Sequence, residues 1–213
     1  MSYIGHGGKE IVERVISSPS EVKERVEGLK RVAITGRCAR ECIDIAYGFF
    51  TPLEGFMGKA DIETVCKKMT LANGTLWSIP IVFDIANEEI REKGIKEGDT
   101  VLLSYHDRAL ATLEVEEIFN YNKMEMMQAV LGTTDTNHPG VRMFNELKDR
   151  FIGGKVTLVN IPKFNAPFDK FWYTPKQLRE KFAEKGWKRI VAHQTRNVPH
   201  SGHEWLMKGA WFS

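Results

Sequence analysis

Residues 187–203 read Trp187-Lys188-Arg189-Ile190-Val191-Ala192-His193-Gln194-Thr195-Arg196-Asn197-Val198-Pro199-His200-Ser201-Gly202-His203. Trp187 to Ala192 predicts a short strand, Gln194 to Asn197 a polar loop, and Pro199 the neighbourhood of a new helix start. Just upstream, Thr174-Pro175-Lys176-Gln177 is itself a helix start. Thr174 can cap, Pro175 suits the first helical position, and Gln177 completes a capping box. That helix is expected to run to about Lys185, with Gly186 as its left-handed stop. Helix, strand, loop and helix in succession open a parallel α/β domain. Only one strand of such a sheet precedes Ser213, so the sequence reads as truncated there or as needing a partner to supply the rest.

The chemistry of this stretch points to anions. Open α/β sheets bind ligands at the carboxyl ends of their strands, and helix N-termini attract phosphate through their N–H groups and dipole. The loop 194–197 sits at both. His200 and His203 are three apart, so both imidazoles lie on one side of the first helical turn. With the Arg196 guanidinium and the helix amides they form an anion cradle that needs no large net charge. Taken alone, two histidines at this spacing are more often surface residues or a chance metal pair, and Gln-x-Arg-Asn is weak by itself. The joint spacing, after a strand and before a helix, carries the reading.

Working outward, the first part of the chain reads as a β-rich domain with a few helices. Glu21 to Gly28 predicts a short helix, Arg31 to Thr35 a strand, Ala39 to Tyr47 a helix with Cys42, Ile43 and Ala46 on one side, and Lys59 to Met69 another helix. Gly48 to Met57 is an aromatic loop. Trp77 to Ile85 predicts a strand in which Pro80 favours an edge or bulge. Val101 to Tyr105 and Ala109 to Ile118 predict a hairpin turning at His106-Asp107-Arg108. Met124 to Met127 reads as one helix face in a core, His138 as a structural residue or a lining of the site, and Arg37 and Arg40 as surface charges. The pattern changes after Asn165-Ala166-Pro167-Phe168-Asp169, which sets domains at 1–168 and 169–213.

Composition bounds the partners. The 213 residues are 42% apolar and 27% charged, the balance of a folded globular chain, and the net charge is only +2. Nothing there calls for nucleic acid or a membrane surface. Three cysteines, Cys38, Cys42 and Cys66, make no disulfide framework and fit a reducing compartment. Cys38 and Cys42 share a helix face, but no second Cys/His pair stands at metal-ligand spacing nearby. Met1 to Gly8 has no apolar signal region, and no run approaches the roughly 18 apolar residues of a membrane span.

The run Gln194-Thr195-Arg196-Asn197-x-x-His200-x-x-His203 resembles the motif of the sulfate adenylyltransferase (ATP sulfurylase) family, and His-x-Gly-His resembles the wider nucleotidylyltransferase signature. The resemblance extends through Gly48 to Met57, Leu76 to Ile81, Gly132 to Val141, Thr174-Pro175 and Phe182-x-x-x-Gly186-Trp187, from about residue 30 onward. Two positions depart from it: His193 stands where Phe is common, and Ser201-Gly202 replaces a more usual Arg-Ala.

The resemblance implies an α+β to α/β architecture: a β-rich PUA-like N-terminal domain followed by the beginning of a Rossmann-like nucleotidylyltransferase domain. It implies conversion of ATP and sulfate into adenosine 5′-phosphosulfate and pyrophosphate, reversibly, with Mg²⁺ accompanying the nucleotide. By match to the motif, Gln194 and Arg196 would bind sulfate, and Thr195, Arg196 and Asn197 would form the catalytic loop. Gln194 to Asn197 with His200 and His203 would contact ATP, and the two histidines would stabilise the phosphates in the transition state. No protein-held metal is expected. A cytoplasmic homo-oligomer is expected, with little activity from these 213 residues alone because the family's later loops lie beyond Ser213. Two other readings compete: an adenylyltransferase of the His-x-Gly-His type acting on a phosphorylated acceptor, and a non-catalytic PUA-like module binding RNA or a protein.

Overall fold

A computed structural model of the chain describes residues 3–161 and 166–211. Asn165, at the start of the pattern change, and Met1 and Ser2 of the N-terminal segment lie outside them. The chain divides into two compact units, Met1–Lys176 and Gln177–Ser213.

The first unit runs α1 (Pro19–Val26), β1 (Lys30–Ala33), α2 (Gly36–Ala46), β2 (Gly55–Phe56), α3 (Lys59–Lys68), β3 (Phe83–Ile85), α4 (Asn87–Lys93), β4 (Thr100–Tyr105), β5 (Arg108–Glu114), β6 (Glu117–Phe119), α5 (Lys123–Leu131), α6 (Pro139–Asn145) and β7 (Arg150–Leu158). β1 pairs parallel with β4, and β4 forms an antiparallel hairpin with β5. The hairpin turn places His106 and Asp107 at φ 47° and 58°, both left-handed, as a two-residue turn that follows strand twist requires.

β7 organises the rest. Its first half pairs with β3 and β6, its middle with β2, and its last residues with β5. The changeover falls at Gly153-Gly154. A Cβ on Gly154 would lie inside van der Waals distance of the Glu114 carbonyl oxygen, and one on Gly55 inside that of Gly154. Only hydrogens fit where these backbones cross. Seven of the nine β7 residues are buried, and Phe151, Ile152, Val156 and Leu158 join Val32, Leu103 and Leu113 in the core.

The buried stripe of α2 is Cys38, Cys42, Ile45 and Ala46, the spacing of a single helix face. Thr35 caps it, its Oγ1 accepting from Cys38 N at 3.3 Å. Arg37, on the same helix, is no simple surface charge. It reaches Glu41 at 2.8 Å and Asp84 at 2.6 Å, and both carboxylates are largely covered.

Three sequence expectations change. Trp77–Ile85 is a strand only at Phe83–Ile85. Pro80 lacks a ladder donor, and Ile81 N instead approaches Met57 Sδ while Met57 N donates to Ile81 O. The second hairpin strand ends at Glu114 rather than Ile118, because Glu116 N donates to Gly153 O and β6 starts a new pairing. In the second unit, α7 (Pro175–Glu184), which begins at the boundary, and α8 (Ser201–Trp211) form as expected, and Gly186 is left-handed at φ 64°. Trp187–Ala192 between them is not a strand. A strand needs a neighbour for its N–H and C=O groups, and no other strand exists among the described residues of this unit; Ile190 and Val191 are exposed.

Candidate active site

α8 starts with two imidazoles folded onto its own backbone. His200 is the N-cap: its Nδ1 accepts from Gly202 N at 3.1 Å, and its carbonyl receives His203 N and Glu204 N. His203, at the third helical position, returns the bond, its Nδ1 accepting from His200 N at 3.2 Å. This is the reciprocal pattern of a capping box, with imidazole nitrogens in place of a hydroxyl and a carboxylate. The two ring centroids are 4.0 Å apart. Gly202 makes room for this, since a Cβ there would sit 2.9 Å from His200 Cε1.

The bonds fix the tautomers. A neutral imidazole that accepts at Nδ1 carries its proton on Nε2. Both rings therefore present Nε2–H donors. The backbone N–H groups of His200 and Gly202 are thereby committed to the rings rather than open to an anion.

The preceding loop is shaped by Thr195, whose Oγ1 accepts from Asn197 N at 3.1 Å and lies 3.3 Å from Asn197 O. Gln194 and Arg196 are exposed, and neither enters a hydrogen bond or ion pair with the described residues. The structure thus joins Thr195 to Asn197 and His200 to His203, and leaves the amide of Gln194 and the guanidinium of Arg196 uncommitted. His193 adds a third ring, 5.6 Å from His203 in an edge arrangement. Sequence reading noted His193 only as a departure from a family pattern; its contact with His203 has no local spacing signal.

Other singled-out residues have structural places. His138 caps α6, its Nδ1 accepting from Gly140 N at 3.1 Å. Phe56 and Met57 are buried, whereas Phe49 is exposed and borders Trp172, which also meets Tyr47 edge-on at 5.2 Å. Met126 and Met127 are buried on α5, but Met124 is exposed. Cys38 and Cys42 face the core; a hydrogen bond with Cys42 and burial push the Cys38 thiol well above its ordinary range. Such a thiol is held protonated, which suits packing rather than ligation. Among the described residues no three His, Cys, Asp or Glu side chains are grouped to hold a metal ion, and no helix is long and apolar enough to cross a membrane.

The PUA-like domain model matches residues 3–161, and the ATP-sulfurylase model matches residues 169–213. Sulfate adenylyltransferases are the relatives: that of Staphylothermus marinus is 42% identical over 208 residues, covering 96% of this chain and 53% of that protein. The chain belongs to the PUA-like family, and its similarity to sulfate adenylyltransferases runs along nearly all of it. The Thermococcus onnurineus sulfate adenylyltransferase is 41% identical over 210 residues, 96% of this chain and 52% of that protein. The chain spans about half the length of the curated relatives it matches. A solved structure, the hexameric APS kinase from Thiobacillus denitrificans, shares the fold with a TM-score of 0.72 at 22% identity, over 97% of this chain and 37% of that one. Within this chain, the loop and the histidine cap both fall in the segment matched by the ATP-sulfurylase model.

Proposed function

We propose that the protein carrying this chain is a sulfate adenylyltransferase that joins ATP and sulfate to give adenosine 5′-phosphosulfate and pyrophosphate, reversibly. The observation that carries this reading is the pairing of an uncommitted Gln194 and Arg196 with two outward Nε2–H donors at the start of α8. In this reading residues 1–168 are the PUA-like domain and 169–213 the first part of the catalytic domain, a division supported by the extents of the two matching models.

The chemistry needs little beyond positioning. Sulfate carries no proton at neutral pH, so its attack on the α-phosphorus requires no general base. The difficulty is repulsion: each pair of like unit charges at about 4 Å costs roughly 4 kcal/mol at an effective dielectric near 20. Arg196 offsets it through bidentate bonds to sulfate, with Gln194 donating beside it. Thr195 and Asn197 hold the loop that carries both. The negative charge that develops on the leaving pyrophosphate falls to the Nε2–H groups of His200 and His203. Mg²⁺ enters as part of the nucleotide substrate and neutralises phosphate charge. The absence of a disulfide framework in the sequence supports a cytoplasmic setting, and the hexameric neighbour supports a homo-oligomer.

The test is pyrophosphate release from ATP by the native protein, with and without sulfate. Release that depends on sulfate is expected. Release that instead requires a phosphorylated acceptor would move the protein to another adenylyltransferase class.

A further inference from the structure

We propose that His193 is a positioning residue for His203: its ring walls the imidazole so that Nδ1 stays on the backbone and Nε2–H stays available, a role that rests on the adenylyltransferase reading of this site. Three observations converge on it. Between Ala183 and Gly202 every residue is exposed except His193, so its ring alone turns inward in that segment. It meets His203 at 5.6 Å with the ring planes at 75°. Its Nε2 is buried and has no hydrogen-bond partner among the described residues.

The orphan nitrogen tells what kind of role this is. Leaving a buried polar atom unpaired is unfavourable, so a ring placed here for hydrogen bonding would be badly placed. A ring placed as a wall is not. His203 needs such a wall. A swing of its imidazole about the Cα–Cβ bond would carry Nδ1 away from His200 N and end the bond that fixes the tautomer. That single neutral hydrogen bond favours the observed orientation only about fivefold. The His200 ring at 4.0 Å and the His193 ring at 5.6 Å leave the imidazole less room for such a swing.

The wall requires a ring and not a nitrogen, which makes His193→Phe the conservative variant and His193→Ala and His193→Leu the disruptive ones. The tautomer of His203 is read from long-range proton–nitrogen NMR spectra of the nitrogen-15-labelled full chain. A single Nε2–H form is expected in the wild type and in H193F, and a mixture of tautomers in H193A and H193L. In the native protein H193A leaves about five-sixths of His203 in the bonded orientation, so kcat is expected to fall by less than about 1.5-fold, with KM for ATP and sulfate within about twofold, and H193F to match the wild type. A single His203 tautomer in both H193A and H193L would overturn the proposal. So would loss of the α8 amide signals in both, which would make His193 a general support of the unit, or an H193F tautomer mixture as large as that of H193A. If the native wild type releases no pyrophosphate on adding sulfate while the tautomers respond as described, the adenylyltransferase reading falls and the wall stands.

Discussion

Replacing His200 separates the cap that the structure shows from the phosphate role proposed for the same side chain. Its Nδ1 caps α8 by accepting from Gly202 N, and its Nε2–H is assigned to the phosphates. His200→Asn keeps an N-cap acceptor, because Asn is among the best residues at that position, but it removes the outward imidazole donor. His200→Ala removes both. Losing a cap costs about 1 kcal/mol, enough to fray the first turn of an 11-residue helix that is near the length limit for standing alone. Losing one preorganised donor to developing charge costs about 10²–10³ in kcat. The expected pattern is therefore asymmetric. H200N keeps slow amide exchange at Gly202 and His203 but loses about 10²-fold or more in kcat for sulfate-dependent pyrophosphate release. H200A loses kcat to a similar or larger degree and also exchanges about fivefold faster in the first turn. If H200N turns over within about threefold of wild type, the imidazole serves the helix alone and the phosphate role is wrong.

Three further outcomes follow from other parts of the molecule. Arg196→Lys keeps the charge but loses the planar fork, and kcat/KM for sulfate is expected to fall about 10²-fold in steady-state kinetics. At alkaline pH the fold is expected to weaken. The Cys38 thiol is raised well above the ordinary 9.0, so above that pH the unfolded chain loses a proton that the folded chain keeps, and unfolding free energy drops by up to about 1.4 kcal/mol per pH unit. Tyr121, pushed up to about 12 by burial and by Cys66, acts in the same direction above pH 10.0, and urea titrations of Cys38→Ala should show a shallower decline above pH 9.0. Gly154→Ala forces a methyl group against the Glu114 carbonyl and is expected to cost ~4 kcal/mol or more, measured as a lowered denaturation midpoint.

Much of the first unit is legible where periodicity and turn chemistry agree. The β4–β5 hairpin, the α2 stripe of Cys38, Cys42, Ile45 and Ala46, and the Gly186 stop each announce themselves within a few residues. The central strand β7 does not. Gly153-Gly154 in its middle is a turn signal by itself, and no element is assigned to Arg150–Leu158 from sequence; its burial on both faces erases the alternation that marks a half-exposed strand. The single long strand expected at Ala109–Ile118 fails for the same reason, since its break is dictated by Gly153, some 35 residues away. At the site, the residue types and their spacing are legible. The tautomers are not, because they depend on which backbone N–H each ring meets. Nor is the steric reason for Gly202, which concerns the neighbouring His200 ring.

The committed amides change how a nearly neutral chain can handle two anions. An open helix N-terminus would offer its N–H groups to the ligand directly. Here the N–H groups of His200 and Gly202 donate into imidazoles, and each imidazole carries the polarity one ring further out, to its Nε2–H. Donation into Nδ1 polarises the far N–H, a cooperative gain on the order of 10–30% per bond. In the proposed reaction the helix dipole would reach phosphate through these two Nε2–H groups, with Arg196 the lone Arg or Lys from Gln194 to His203. That arrangement suits the proposed reaction, which runs both ways. Two imidazolium ions would bind pyrophosphate tightly and slow its departure, whereas dipolar donors strengthen as charge develops and weaken their hold once Mg²⁺ and water share it.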